Sequence, residues 1–211
     1  MSAETSTPVR SYAIVSGSTR KVSQSSKVAR YLVARLQASE PGAAVEHIDL
    51  SQVKLPEWNE SFWDPTAAPD AAWSQVSASL ARSQAIILVT PEWNGMVPPA
   101  LMNVFLLAGR GELAHKPGMI VAVSASTGGA YSVAELRVSG QKNTQLTYTP
   151  DHIIVRDVRN VLNESEPQSD ADTYLRGRID YALRVLGVYS DAFARIRASG
   201  VLDPTSYPYG M

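Results

Sequence analysis

Cysteine is absent from the chain, which removes disulfides, thiolate metal sites, cysteine nucleophiles and dithiol relays together. Any redox chemistry must therefore be carried by a bound cofactor. Long apolar runs are missing too: no stretch approaches the roughly 18 residues that span a bilayer. The opening MSAETSTPVR is polar and lacks the apolar core of a secretion signal, so a cytoplasmic protein without a membrane role is expected. With 19 basic and 20 acidic residues the formal net charge is −1, and no field exists to recruit nucleic acid or an anionic surface. Two phosphate-binding signatures are also lacking, the Gly-x-x-x-x-Gly-Lys-Ser/Thr loop and Gly-x-Gly-x-x-Gly. His47, His115 and His152 have no metal-ligand spacing, and Asp49, Asp151 and Asp157 form no evident dyad. Structural roles are expected for all six, and no metal site.

What is present is a chain of 211 residues, 45% hydrophobic and 18% charged, enough for one domain with a substantial core, about residues 10–198. Strand-length apolar runs alternate with helical patterns. Tyr12–Val15 ends in the polar turn Ser16–Arg20, and Val28, Leu32 and Leu36 then share one face of a helix from Ser25 to Gln37. Ala44–Leu50 reads as a second strand near the sheet edge. Residues 51–69 carry Pro56, Pro65 and Pro69 between Trp58, Phe62 and Trp63, which predicts a long ordered loop covering the core or walling a pocket. A helix from about Asp70 to Arg82 precedes Ala85–Thr90, whose unbroken apolar character suits the middle of a parallel sheet. Pro98-Pro99 starts a helix that reaches Leu107. Met119–Ser124 is the fourth strand, followed by a helix from about Ser132 towards Lys142, and His152–Val155 is the fifth.

The last helix carries Leu175, Ile179, Ala182, Leu186, Tyr189, Phe193 and Ile196 on one stripe. Such a stripe can cover the sheet or, being long, form a seam with a second chain. The alternation of five strands with helices predicts an α/β fold, a doubly wound five-stranded parallel sheet in a three-layer α/β/α sandwich. Ligands in such sheets bind at the carboxyl ends of strands where the strand order reverses.

Three turns lie at those ends. The first, Gly17–Ser26, offers hydroxyls at Ser18, Thr19, Ser23, Ser25 and Ser26, the Arg20 guanidinium and the free amides of a helix start, all able to meet one phosphate. Serine and threonine are equally good helix caps, so both uses stand. The second, Pro91–Pro99, is stiffened by proline at both ends and bent at Asn94-Gly95, which suits backbone hydrogen bonding to a planar ring beside Trp93 or Met96. The third follows the fourth strand and closes on Gly128-Gly129.

Gly17-Ser18-x-Arg20-x-x-Ser23, Thr90-Pro91-Glu92-Trp93-Asn94-Gly95 with Leu101-Met102-Asn103, Lys116-Pro117, and Gly128-Gly129 ahead of Leu136-Arg137 together resemble the NAD(P)H-dependent FMN reductase family, which includes quinone, chromate and azo-dye reductases. The similarity runs from the first strand to about Arg137 and implies a flavodoxin-like fold. It implies that Ser18, Arg20, Ser23, Gln24 and Ser25 hold the FMN phosphate, that Pro91, Glu92, Trp93, Asn94 and Gly95 embrace the isoalloxazine edge, and that Ser124, Ser126, Thr127, Gly128 and Gly129 line the ring's other side. It further implies hydride transfer from NADPH or NADH to FMN, with no catalytic acid, base or nucleophile from the protein. Electrons would then pass to a small acceptor such as a quinone, free flavin, azo compound or metal oxyanion, by ping-pong kinetics, in a homodimer or homotetramer. Val22, Gln24, Trp93 and Met102 depart from the family's usual glycine, aromatic, tyrosine and lysine. A flavodoxin-type electron carrier and a flavin-dependent regulatory or interaction protein are the alternatives. The near-neutral charge and Arg20 speak against the first, and rapid turnover with a quinone would speak against the second.

Overall fold

The computed structural model describes residues 9–64, 66–109 and 111–209. Most of the polar opening, Pro65 of the proline-rich loop and the last two residues of the tail lie outside them. The strands β1 (Ser11–Ser16), β2 (Ala44–Asp49), β3 (Ala85–Pro91), β4 (Pro117–Val123) and β5 (Thr147–Val155) pair in the order β2-β1-β3-β4-β5, all parallel. The chain moves from β1 to the edge through α1 (Gln24–Ser39). It then reverses past β1 to β3 through α2 (Ala71–Arg82), steps outward to β4 and β5 through α3 (Pro99–Leu107) and α4 (Ala130–Val138), and ends in α5 (Asp170–Arg197). The reversal places the sheet's switch point between β1 and β3.

Helices α1 and α5 bury one face of the sheet with Tyr12, Ile14, Ile87 and Met119. On the other face α2, α3 and α4 pack against Ala13, Val15, Leu88 and Ile120. Covered on both sides, β3 and β4 are buried at all seven positions, the physical reason for their unbroken apolar sequence. Val28, Leu32 and Leu36 of α1 and Trp73, Val76 and Leu80 of α2 are buried as their spacing predicts. Ser23, Asp70 and Ser169 cap the starts of α1, α2 and α5 by accepting from amides two or three residues into each helix.

Two elements differ clearly in extent from the sequence expectation, and a third, α5, is as long as expected. Strand β5 begins five residues earlier, at Thr147, although it contains Pro150. It is an edge strand with a register shift opposite Gly118–Ile120, and there a missing amide donor is tolerated. Helix α4 stops at Val138, not near Lys142. Ser139 leaves the helix in an extended conformation, and Gly140 then turns the chain at φ +73, where a Cβ would lie 2.7 Å from Phe105 Cδ1. The stripe of α5 is buried through Leu175, Ile179, Ala182 and Leu186, as sheet cover requires, while Ile196 is 43% exposed. Twenty-eight residues rise about 42 Å at 1.5 Å each, and the helix outruns the sheet. The aromatic loop after β2 holds one 3-10 turn, Glu60–Trp63, and its Trp58 and Phe62 pack on the core. No described helix is long and apolar enough to cross a membrane.

Candidate functional site

The carboxyl ends of β1, β3 and β4 are neighbours in the sheet, so the three loops singled out in the sequence meet at one edge. The first is fastened to β3 by the Gly17 amide, which donates to Val89 O at 2.8 Å. A Cβ on Gly17 would stand 2.9 Å from both Cβ and Cδ2 of Leu101, so glycine is what lets α3 pack this close to the loop. Ser18 and Ser25 are buried, and Arg20 is exposed. Ser18 Oγ accepts from the Arg20 amide at 3.3 Å and Ser23 Oγ from the Ser26 amide at 3.2 Å. Ser23 is therefore a helix cap, one of the two uses its sequence allowed. The amides of Gln24 and Ser25, at the positive end of α1, keep no acceptor within the described residues. Gln24 Oε1 is buried without a hydrogen-bond partner, a position that costs free energy unless a donor arrives.

The second loop is a tight hairpin. Trp93 and Met96 exchange backbone hydrogen bonds at 3.0 and 2.9 Å around Asn94 at φ 50 and Gly95 at φ 74. Both central residues have the positive φ that an Asn-Gly turn supplies. Pairing consumes the amides of Trp93 and Met96 and leaves those of Asn94 and Gly95 outside the turn. Pro91 remains in the sheet opposite Val123. Glu92 donates its amide to Val123 O at 3.1 Å, while its carboxylate turns to α4, where Oε2 accepts from the Ser132 amide at 3.2 Å. Burial acts to raise the Glu92 pKa, but the amides of Gly129, Ser132 and Tyr131 outweigh it and hold the group below the ordinary carboxylate value. The Arg20 guanidinium lies 4.9 Å from the Trp93 ring centroid, joining the first loop to the second.

The third loop is closed from outside. Ser124 donates its amide to Val155 O at 2.9 Å, and Ser124 Oγ accepts from the Ser126 amide at 3.2 Å. Arg156 Nε donates to Thr127 O at 2.7 Å. A Cβ on Gly128 would meet Glu92 Oε1 at 2.6 Å, and one on Gly129, whose φ is +108, would meet Ile154 Cγ2 at 2.5 Å. These two glycines let α4 start directly beneath the hairpin. All fifteen residues predicted from the sequence thus lie on three adjacent loops or, for Gln24, Ser25 and Pro91, at the ends of the elements that those loops join. The tethers Arg156, Glu135, which accepts from the Val97 amide at 2.7 Å, and Asn103, which holds Trp58 and Pro56 to α3 at 3.1 and 2.8 Å, were not singled out as supports. Their partners are distant in sequence, and only for Asn103 did a motif mark the position.

His47 lies beside this edge, 3.0 Å from Ser16 Oγ through Nε2, and burial lowers its pKa. His115 and His152 lie elsewhere, and no group of three or more metal-ligating side chains occurs among the described residues. A cleft of about 1100 Å³ lies on the outer side of α2 and α3, lined by Trp58, Trp63, Met102, Phe105 and Tyr209 among others.

The sequence model for NADPH-dependent FMN reductases matches residues 11–157, strands β1 to β5. The chain belongs to this family. A quinone reductase of Pseudomonas putida is 35% identical over 127 residues, 58% of this chain and 64% of that one, so this chain spans under two thirds of that relative's length. A probable NADPH:quinone oxidoreductase of rice is 29% identical over 142 residues, 66% of this chain and 71% of that one. Among solved structures, the flavoenzyme NAD(P)H:acceptor oxidoreductase FerB of Paracoccus denitrificans superposes with a TM-score of 0.66 at 19% identity, covering 89% of this chain and 98% of that one. At that identity the likeness speaks for the fold, a flavodoxin-like α/β sandwich.

The residues present fit the family's cofactor. Free amides and buried hydroxyls at the start of α1 suit a phosphate, the orphaned Gln24 Oε1 suits a hydroxyl donor, and the exposed amides of an Asn-Gly turn suit the acceptor edge of a flat ring.

Proposed function

We propose that the chain binds FMN at this edge and reduces it with NADPH or NADH for delivery to a small acceptor such as a quinone, free flavin, azo compound or metal oxyanion. The observation that carries the reading is the meeting of an anion-ready helix start, with its unpartnered Gln24 Oε1, and a preformed Asn-Gly turn at the switch point of a sheet of this family.

Ser18, Ser23, Ser25, Gln24 and Arg20 would hold the phosphate end. Hydroxyls and amides donate to the oxygens there, and Arg20 supplies the positive charge. Asn94 and Gly95 would present their amides to the ring edge, where dipoles fixed in advance stabilise negative charge as it develops. Pro91 and Trp93 shape that turn. Glu92 contributes by tying the turn to α4 rather than by contact. Ser124, Ser126, Thr127, Gly128 and Gly129 would wall the remaining side. When bound, FMN supplies the two-electron chemistry, taking hydride from the nicotinamide and releasing electrons to the acceptor. The protein's part is alignment.

A homodimer or homotetramer belongs to the same proposal, supported by the exposure of Met96, Leu106 and Tyr131 on the hairpin, α3 and α4. The test is the visible spectrum of the purified protein, before and after adding FMN and then NADPH. Flavin absorption that bleaches on NADPH addition is expected. A colourless preparation that cannot be reconstituted with FMN would overturn the proposal, and bound flavin that neither nicotinamide bleaches would reduce it to an electron carrier.

A further inference from the structure

The contact between Arg20 and Trp93 joins the first two loops of the site through side chains, and its two members differ in how firmly they are held. Trp93 is fixed by its backbone: both its amide and its carbonyl are bonded to Met96 at 3.0 and 2.9 Å in a turn with no slack. Arg20 is held only at its amide, by Ser18 Oγ, and no carboxylate lies within ion-pair distance of its guanidinium among the described residues. What orders its side chain is the Trp93 ring, 4.9 Å from its central carbon, well within the reach of a cation–π contact. A guanidinium lying on a ring face keeps its in-plane N–H groups for an anion. Lys21, next to Arg20 in the loop, is exposed and is not stacked on the ring, while Lys27 in the first turn of α1 is already committed to Val158 O, Val161 O and Asn163 Oδ1 at 2.6, 2.9 and 2.8 Å.

We propose that Trp93 is a positioning residue: its ring holds the Arg20 guanidinium at the seam between the two loops and thereby makes the site select the phosphorylated flavin over riboflavin. The inference rests on the FMN reading above and deepens it. FMN and riboflavin share the ring and the ribityl chain and differ in one phosphate. A side chain that only walls the ring changes the affinity for both equally. One that acts through Arg20 changes the affinity for FMN alone, because only FMN carries the dianion that the guanidinium meets. Trp93 sits on the ring-edge turn, so an effect of its removal on phosphate selectivity has no other obvious route than the stacked arginine.

The experiment measures equilibrium dissociation constants for FMN and riboflavin by quenching of flavin fluorescence, without turnover. The proteins compared are the wild type, Trp93→Leu, Trp93→Phe, Arg20→Gln and the Trp93→Leu/Arg20→Gln pair. The ratio of FMN to riboflavin affinity is expected to fall about two- to fivefold in Trp93→Leu, the range of an exposed cation–π contact, and to recover largely in Trp93→Phe. In the Arg20→Gln background Trp93→Leu should leave the ratio unchanged. Riboflavin affinity retained in Trp93→Leu shows that the site is still folded. Equal weakening of both flavins, or the same fall in ratio without Arg20, overturns the proposal while leaving the FMN reading intact. A wild type that binds neither flavin removes both.

Discussion

Glu92, on the turn after β3, caps the first turn of α4 across forty residues of sequence, its Oε2 3.2 Å from the Ser132 amide and 3.4 Å from the Ser132 hydroxyl. The cap comes from outside because Gly129, at the helix's own cap position, has no side chain to offer. Replacing Glu92 by alanine should cost about 1 kcal/mol, the usual worth of an N-cap. The depressed pKa adds a pH signature. A carboxylate held below its ordinary 4.5 contributes its full stabilisation above that value and loses it as pH falls through the folded-state pKa. Urea unfolding at neutral pH and at about pH 3 should therefore show a large gap between wild type and Glu92→Ala at neutral pH and a smaller one in acid. An equal gap at both would mean that the carboxylate's charge is not what stabilises α4.

Gly17 is bounded by Leu101, at 2.9 Å from any added Cβ, and the same residue's amide ties the phosphate loop to β3. Gly17→Ala must push α3 and the loop apart, at about 1–3 kcal/mol for an overpacked contact. Flavin affinity should fall along with the melting temperature, because the loop is displaced as a unit. A variant that melts earlier yet binds FMN as the wild type does would show that α3 gives way and the loop does not.

Much of this arrangement was legible before the structure. Buried strands such as Ala85–Pro91 announce themselves because both faces are covered, and the helices at Val28–Leu36 and Trp73–Leu80 because one face is. The site loops were legible through residue types that a sharp turn or a helix start demands, Asn94-Gly95 and Ser18 to Ser25. What stayed hidden depends on distant pairs. Nothing near Glu92 says that it will serve α4, and nothing near Phe105 says that it will pack against Gly140. Strand β5 reaches back past Pro150, a breaker in any local sense that is harmless only at a sheet edge, a fact of topology. Ser23 shows the limit in the other direction: cap and ligand group use the same atoms, and sequence alone left both open.

Lys116 stands at the opposite end of the sheet from the site. It is buried and donates to Leu80 O and Ala81 O at 2.6 and 2.8 Å, closing the carbonyl end of α2. Burial, with Arg197 nearby, lowers its pKa to about 8, against the opposing pull of Glu112. The folded chain thus gives up this proton more readily than the unfolded one. Linkage then makes the contribution of Lys116 more favourable as pH rises from about 8 towards the unfolded value of 10.5. Lys116→Met should lower stability by about 1–3 kcal/mol, because the part-buried Ala81 carbonyl loses this donor and Leu80 O keeps only the Ser83 amide at 3.3 Å, and should remove that upward component. Melting temperatures of both proteins between about pH 7 and pH 9.5 would check it. Parallel curves for wild type and variant would show that Lys116 does not titrate in this range.

Gly187 lies inside α5, where glycine costs about 1 kcal/mol relative to alanine, yet an added Cβ would sit 2.8 Å from Arg10 Nη1 and 3.1 Å from Glu40 Oε1. Arg10 there bridges Asp191 of α5, at 2.9 and 2.7 Å, and Glu40 at the end of α1, at 2.9 Å, and Tyr12 donates its hydroxyl to the same Glu40 carboxylate at 2.9 Å. The glycine is the space that this bridge occupies. Two effects of Gly187→Ala oppose each other, a gain in helix propensity and the displacement of a half-buried guanidinium from two carboxylates. Charge-assisted hydrogen bonds of this kind contribute about 1.5–3 kcal/mol, so the loss should win and the single variant should unfold at lower denaturant. In an Arg10→Ala background the nearest obstacle is gone and Glu40 Oε1, at 3.1 Å and released from the bridge, has only to give slightly, so Gly187→Ala should then stabilise by up to about 1 kcal/mol. The reversal of sign between the two backgrounds, read from urea midpoints in a double-mutant cycle, separates a glycine kept for the bridge from one kept for any other reason.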